Sequence, residues 1–204
     1  MITIIDYGMG NIHSVHKALE SFGASVQITN DPAVVEKSEK LILPGVGAFG
    51  DTIDELDRRG LSRAIKKCID DRKIFLGICL GLQLLFESSE ESPGKNGLSV
   101  LRGAVRRFKD SRELKVPHMG WNQLLPSISS GCPLLRGISG GSNVYFCHSY
   151  YVAPESEDVI AGTTEYGFSF TSVIWKDNVY GVQFHPEKSQ KTGLAIIRNF
   201  VEMH

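Results

Sequence analysis

Over roughly the first ninety residues, short apolar runs alternate with stretches whose apolar side chains recur every three or four positions. Residues 2–6 predict a strand, and residues 11–22 a helix with Ile12, Val15, Leu19 and Phe22 on one face. Residues 25–28 and 40–43 predict further strands around a short helical stretch at 33–37. Helical patterns at 52–58 and 61–70 follow, then a strand at 73–78 and a helix from Leu80 to about residue 88. Strands separated by helices cannot pair as hairpins. They are joined by right-handed crossovers into a parallel sheet with helices on both faces.

The remainder changes character. Residues 104–108, 121–125, 143–149, 159–164, 169–176 and 179–184 predict strands, and residues 192–203 a closing helix. Asp177-Asn178, two turn-forming residues between the last two strands, predict a tight hairpin. Segments 87–97 and 126–142, rich in Ser, Gly and Pro, predict surface loops. The reading is α/β: a mostly parallel sheet with added antiparallel strands in the C-terminal half, and one domain over residues 1–204.

Lys and Arg number 22 against 23 Asp and Glu, without a run of one sign, so no nucleic-acid footprint is drawn. No apolar stretch approaches the roughly 20 residues of a spanning helix, and residues 1–6 lack a secretory pattern. Cys68, Cys79, Cys132 and Cys147 fall at irregular spacings, which suits neither a disulfide framework nor a zinc site. The expectation is a cytoplasmic, reduced protein that needs no cofactor or metal and acts on a small molecule.

The sharpest chemical signal is Gly77-Ile78-Cys79-Leu80-Gly81, placed where the strand at 73–78 meets the following helix. It has the form of a nucleophile elbow with Cys in place of Ser. Its glycines permit a tight strand-to-helix turn at the carboxyl end of the sheet, where open α/β sheets bind ligands. The helix N-terminus there favours a thiolate. A thiol nucleophile needs a base, and the base needs an orienting group. His185-Pro186-Glu187 follows a strand directly, and the proline stiffens the link so that the Glu187 carboxylate can lie beside the imidazole. His118 and His148 are the other candidate bases; His13 and His16 fall on a helix.

Residues 44–50 contain Gly45, Gly47 and Gly50 in a G-x-G-x-x-G pattern. A dinucleotide fingerprint would lead to a strand ending near an acid, whereas here the next strand ends at Cys79. The better reading is that the backbone N–H groups of Val46 and Gly47 face Cys79 and form an oxyanion hole with the Leu80 N–H.

On the Gly77–Gly81 elbow, the Gln83 that follows it, and His185-Pro186-Glu187, the chain resembles the class I glutamine amidotransferases over essentially its whole length. The resemblance implies a flavodoxin-like core, a Cys79-His185-Glu187 triad that hydrolyses glutamine, and substrate contacts from Gln83 and the His148-Ser149-Tyr150 segment. Asp6-Tyr-Gly-Met-Gly-Asn11, Pro44-Gly-Val-Gly47, Pro117-His-Met-Gly-Trp-Asn122 and His185-Pro-Glu-Lys-Ser189 further resemble the branch of that family serving histidine biosynthesis. That implies a heterodimer with a (β/α)8-barrel cyclase that receives ammonia directly, docked near Asn11, Trp121, Tyr145 and Lys188. Paralogous glutaminases of sugar-modifying pathways share similar blocks. A cysteine hydrolase or peptidase on the same fold is the alternative from another class.

Overall fold

In the computed structural model, which describes residues 1–109 and 114–203, the alternating half forms β1 (Ile2–Ile5), α1 (Ile12–Glu20), β2 (Val26–Thr29), α2 (Pro32–Glu36), β3 (Lys40–Gly45), α3 (Phe49–Arg58), α4 (Leu61–Asp70), β4 (Ile74–Cys79) and α5 (Leu80–Gln83). Then come β5 (Ser88–Ser89), β6 (Gly103–Arg107), β7 (His118–Pro126), β8 (Ser142–His148), β9 (Tyr150–Pro154), β10 (Ile160–Glu165), β11 (Ser169–Lys176), β12 (Val179–Val182) and α6 (Gln190–Glu202). The strands run in the order β2-β1-β3-β4-β12-β11-β10-β7-β8, with β5, β6 and β9 branching from β11. Along that path the pairing is parallel from β2 through β12 and antiparallel from β12 to β8; in the branch β9 pairs antiparallel with β11 and β6, and β5 parallel with β6.

The period-two alternation of a strand sends its side chains to opposite faces. Ile4, Ile42, Leu76 and Ile78 pack on one face with Val15 and Leu19 of α1 and Ile196, Ile197 and Phe200 of α6. Ile5, Leu41, Leu43 and Phe75 pack on the other with Ile53 and Leu56 of α3 and Leu61 and Ile65 of α4. A parallel sheet covered on both faces must be apolar on both, which is why these strands read as continuous apolar runs.

The expected hairpin is present: Lys176 pairs with Val179 around a turn in which Asp177 has φ 53°. Elsewhere the local pattern misleads. The helix expected to run to about residue 88 stops at Gln83, although Leu84, Leu85 and Phe86 are fully buried. Their carbonyls are claimed from the side: Leu98 donates to Leu84, Val100 and Leu101 to Leu85, and Ser99 to Phe86. Gly97 permits that approach, since a Cβ there would lie 2.1 Å from the Phe86 carbonyl oxygen. The strand β9 went unpredicted because it follows β8 after Ser149 alone and ends in a proline; it is held by five partners on β6. β7 begins three residues earlier than expected, at His118, and β12 ends at Val182 rather than at residue 184. The segment 126–142 is not only surface, for it buries Cys132, Leu134 and Leu135, pinned by the Asn199 side-chain amide bonded to the Leu134 and Arg136 carbonyls.

Candidate active site

Cys79 ends β4 and opens α5 with φ 54° and ψ −107°, a strained conformation for a residue carrying a Cβ. The turn is possible because three glycines let backbone meet backbone. A Cβ on Gly81 would lie 1.9 Å from the Leu43 carbonyl oxygen, one on Gly77 2.5 Å from the Gly81 oxygen, and one on Gly45 2.7 Å from the Gly81 nitrogen. The elbow is thus wedged against β3, and the thiol is lifted to the carboxyl end of the sheet. Exposure of Cys79 is only 6%.

Strand β12 lies beside β4 in parallel, Val182 opposite Ile78, so the chain leaves it directly alongside Cys79. His185 is fixed there by its N–H on the Tyr145 carbonyl at 2.9 Å and by Ser189 Oγ on its own carbonyl at 2.6 Å. The turn Pro186–Lys188 brings Glu187 back under the ring, with Glu187 Oε1 3.0 Å from His185 Nδ1. A carboxylate only accepts, so Nδ1 carries the hydrogen and the other ring nitrogen is left for Cys79. Both side chains are almost wholly buried, at 5% and 1% exposure. Burial alone would lower the His185 pKa. Hydrogen bonding and charge from Cys79 and Glu187 outweigh it and carry the value up to about 10, which favours an imidazolium.

One residue of this arrangement has no local signature. Asn11, the residue before α1, donates its side-chain amide to Glu187 Oε1 at 3.2 Å. Asn11, which sequence reading places near a partner surface, thus also reaches the carboxylate beside His185. Glu187 Oε2 is buried and has no hydrogen-bond partner among the described residues.

Cys79 opens onto a cleft of about 320 Å³ lined by Val46, Gly47, Leu80, Gln83, His148, Ser149, Tyr150, His185 and Lys188. The Val46–Gly47 turn, with Gly47 at φ 107°, borders Cys79 in this cleft from the end of β3. Beneath it the Tyr7 hydroxyl lies near the Val46 amide and the Thr52 hydroxyl without a well-formed hydrogen bond to either, and burial pushes its pKa up. Two other clefts, each about 440 Å³, lie at the amino ends of β4 and β12 around Arg72 and Asn178, and neither is lined by a cysteine or a histidine.

The expected substrate contacts are built into an interior network. Gln83 Nε2 donates to the Tyr150 carbonyl at 3.1 Å and to Gln183 Oε1 at 3.3 Å. His148 Nδ1 lies 2.7 Å from the same carbonyl, and its Nε2 lies 2.9 Å from His118 Nδ1. Burial lowers the pKa of His148 to about 3 and that of His118 to about 4, so both rings are neutral, and their nitrogens are taken up by one another, by the Tyr150 carbonyl and by Asn122.

Trp121 is 49% exposed rather than core, and its ring meets Tyr145 edge-on at 5.8 Å. Lys188 Nζ sits 5.9 Å from the centroid of the Tyr145 ring, so these three form one surface at the cleft mouth. Met119, 61% exposed, lies on the same face of β7 as Trp121. Among the described residues, no helix is long and apolar enough to cross a membrane, and no group of three or more His, Cys, Asp or Glu could hold a metal ion.

The family model of class-I glutamine amidotransferases matches residues 3–203. The imidazole glycerol phosphate synthase subunit HisH of Methanocaldococcus jannaschii is 53% identical, with all of both chains covered. That of Syntrophotalea carbinolica is 51% identical, again over all of both chains. Among solved structures, a glutamine amidotransferase superposes with TM-score 0.74 at 19% identity, covering 95% of each chain. PurLQS from Thermotoga maritima gives TM-score 0.74 at 18% identity, covering 98% of this chain and 96% of that one. The elbow, the His-Pro-Glu turn and this full-length similarity lead to one conclusion: the chain belongs to the class I glutamine amidotransferase family, in its HisH group.

Proposed function

We propose that this chain is the glutaminase subunit of an imidazole glycerol phosphate synthase and, as a single amidotransferase domain over residues 1–204, releases ammonia for a cyclase partner. The observation that carries the reading is the meeting of Cys79, His185 and Glu187 at one sheet end inside a chain about half identical to HisH subunits over its full length. Cys79 Sγ attacks the side-chain amide carbon of glutamine, and the carbonyl π pair moves onto oxygen. The backbone N–H groups of Leu80 and of the Val46–Gly47 turn receive that oxyanion. As the intermediate collapses, the C–N bond breaks, and His185, holding a proton on each ring nitrogen, gives one to the leaving nitrogen as ammonia forms. Water, deprotonated by His185, then cleaves the thioester to glutamate and restores the thiol. Glu187 keeps the ring in one tautomer and stabilises its cation.

Gln83 and the His148–Tyr150 segment hold the substrate from the far wall of the cleft. The partner is a (β/α)8-barrel cyclase forming a heterodimer over the face of Trp121, Tyr145 and Lys188, so that ammonia passes to it without meeting bulk water. No cofactor enters this chemistry, and the setting is the cytoplasm. Cys79→Ala tests the reading in the complex with its partner. Glutamine-dependent synthesis should disappear while synthesis from added ammonium salt persists; hydrolysis of glutamine by Cys79→Ala at the wild-type rate refutes it.

A further inference from the structure

Gln183 occupies an unusual place. It is wholly buried one residue beyond β12, its N–H bonded to the Ser172 carbonyl at 2.9 Å, and its side-chain nitrogen lies 3.7 Å from Cys79 Sγ. Which end of that amide faces the sulfur is decided by neighbours, because the bonds around it can be oriented one by one. The Tyr150 carbonyl only accepts, so Gln83 must present its NH2 there, and the same NH2 reaches Gln183 at 3.3 Å. Gln183 therefore turns its oxygen to Gln83 and its NH2 to Cys79.

The anchor of this chain is equally directional. His148 Nδ1 must donate to the Tyr150 carbonyl, which makes its Nε2 an acceptor and obliges His118 Nδ1 to donate. His118 Nε2 then accepts from the Asn122 amide at 3.1 Å, and that amide also donates to the Glu165 carbonyl at 2.8 Å. The His118 ring is clamped between Tyr166 and Phe146, at 3.9 and 4.5 Å between centroids and nearly parallel to both. Each ring spends its one hydrogen in the same direction, toward Tyr150. A fixed line of donors and acceptors thus runs from Asn122 on β7 to the nucleophile.

We propose that Gln183 is a catalytic residue whose side-chain N–H donates to the Cys79 sulfur, holding the thiolate in its attacking position, and that the line through Gln83, Tyr150, His148 and His118 aims it. This rests on Cys79 being the nucleophile. A donor to the sulfur favours the thiolate, which is the attacking species, over the thiol, and it acts on the nucleophile and not on the substrate. It therefore acts on the chemical step more than on substrate binding.

Gln183→Met keeps the volume and removes the donor. Alkylation of Cys79 by iodoacetamide at fixed pH, followed by peptide mapping, should slow roughly tenfold, the worth of one hydrogen bond to a charged group. In the complex with its partner, kcat for glutamine should fall by a similar factor with KM within about twofold. His118→Phe, which leaves a flat ring in the clamp but no donor, should slow alkylation in the same direction by less. In the wild-type protein, the Gln183 side-chain NH2 resonances should move when Cys79 is alkylated, a readout that needs no variant to fold. Wild-type alkylation and kcat in a folded Gln183→Met protein, or NH2 resonances unmoved by alkylation, overturn the proposal. Alkylation needs no glutamine, so a wild-type complex inert toward glutamine would refute the glutaminase reading while leaving the donor at the sulfur to be judged by the alkylation rate.

Discussion

Gly81→Ala puts the elbow to its most direct test. The added methyl carbon would start 1.9 Å from the Leu43 carbonyl oxygen, and bringing it to the 3.0 Å floor of real contacts requires an opening of about 1.1 Å. Neither side yields easily. Leu43 is paired with Gly77 inside the sheet, and Gly81 is wedged by Gly77 and Gly45. Overpacking against side chains costs about 1–3 kcal/mol; with backbone as the obstacle, about 3 kcal/mol is the fitting figure. For a chain of this size each kcal/mol lowers Tm by about 2–4 °C, so the expected loss is about 6–12 °C. A shift of about 1 Å at the reacting atom also costs about a hundredfold in turnover. Gly140→Ala is the control, since its Cβ would meet nothing within 4 Å; its Tm should stay within about 2 °C of the parent. Thermal melts followed by circular dichroism, with glutamine turnover in the assembled complex, read both effects. A Gly81→Ala protein with parental Tm and parental turnover refutes the claim that close backbone packing builds this site.

The imidazole of His185 should titrate at lower pH in Cys79→Ser than in the parent, because burial keeps opposing its charge while the sulfur's support is gone; an unchanged NMR titration midpoint contradicts that assignment. Since its folded pKa, about 10, lies above the ordinary histidine value of 6.5, its contribution to stability is complete below pH 6.5 and is lost as pH rises through about 10. Parental Tm should accordingly fall across that window, and less so in Cys79→Ser. Asn11→Ala should lower turnover and cost about 1.5 kcal/mol in denaturant unfolding, as the buried carboxylate loses its second donor; a purely surface role for Asn11 predicts no change in stability. Trp121→Ala and Lys188→Ala should weaken association with the partner, each keeping Tm within about 2 °C of the parent. Calorimetric titration checks this, and parental affinity in both would move the docking face elsewhere.

What was legible in the sequence is what is local. Cys79 with its glycines spans five residues and His185 to Glu187 three, so the elbow and the histidine–carboxylate contact can be read from a line of text. Strand and helix periodicity likewise exposed the parallel half, because burial on both faces leaves a continuous apolar run. Asn11 and Glu187 are 176 positions apart, and Gln183 and Cys79 104. No spacing rule joins such pairs; only the sheet order does. The same limit explains the overlong helix after Leu80, where an apolar run that suits helix is diverted by bonds from residues 98–101.

The order of strands has a consequence for when the thiol becomes reactive. Cys79 lies on β4, whose neighbour β12 is contributed from a hundred residues further along and must be turned into place by the hairpin from β11. Until that central strand is zipped in, Cys79 has neither His185 beside it nor the Gln183 amide at its sulfur. Pairings between distant segments form late, after their loop-closure entropy has been met. With Cys79 as the proposed nucleophile, a half-folded chain carries a dormant cysteine, and the topology works as an interlock that arms the sulfur only once the sheet is closed.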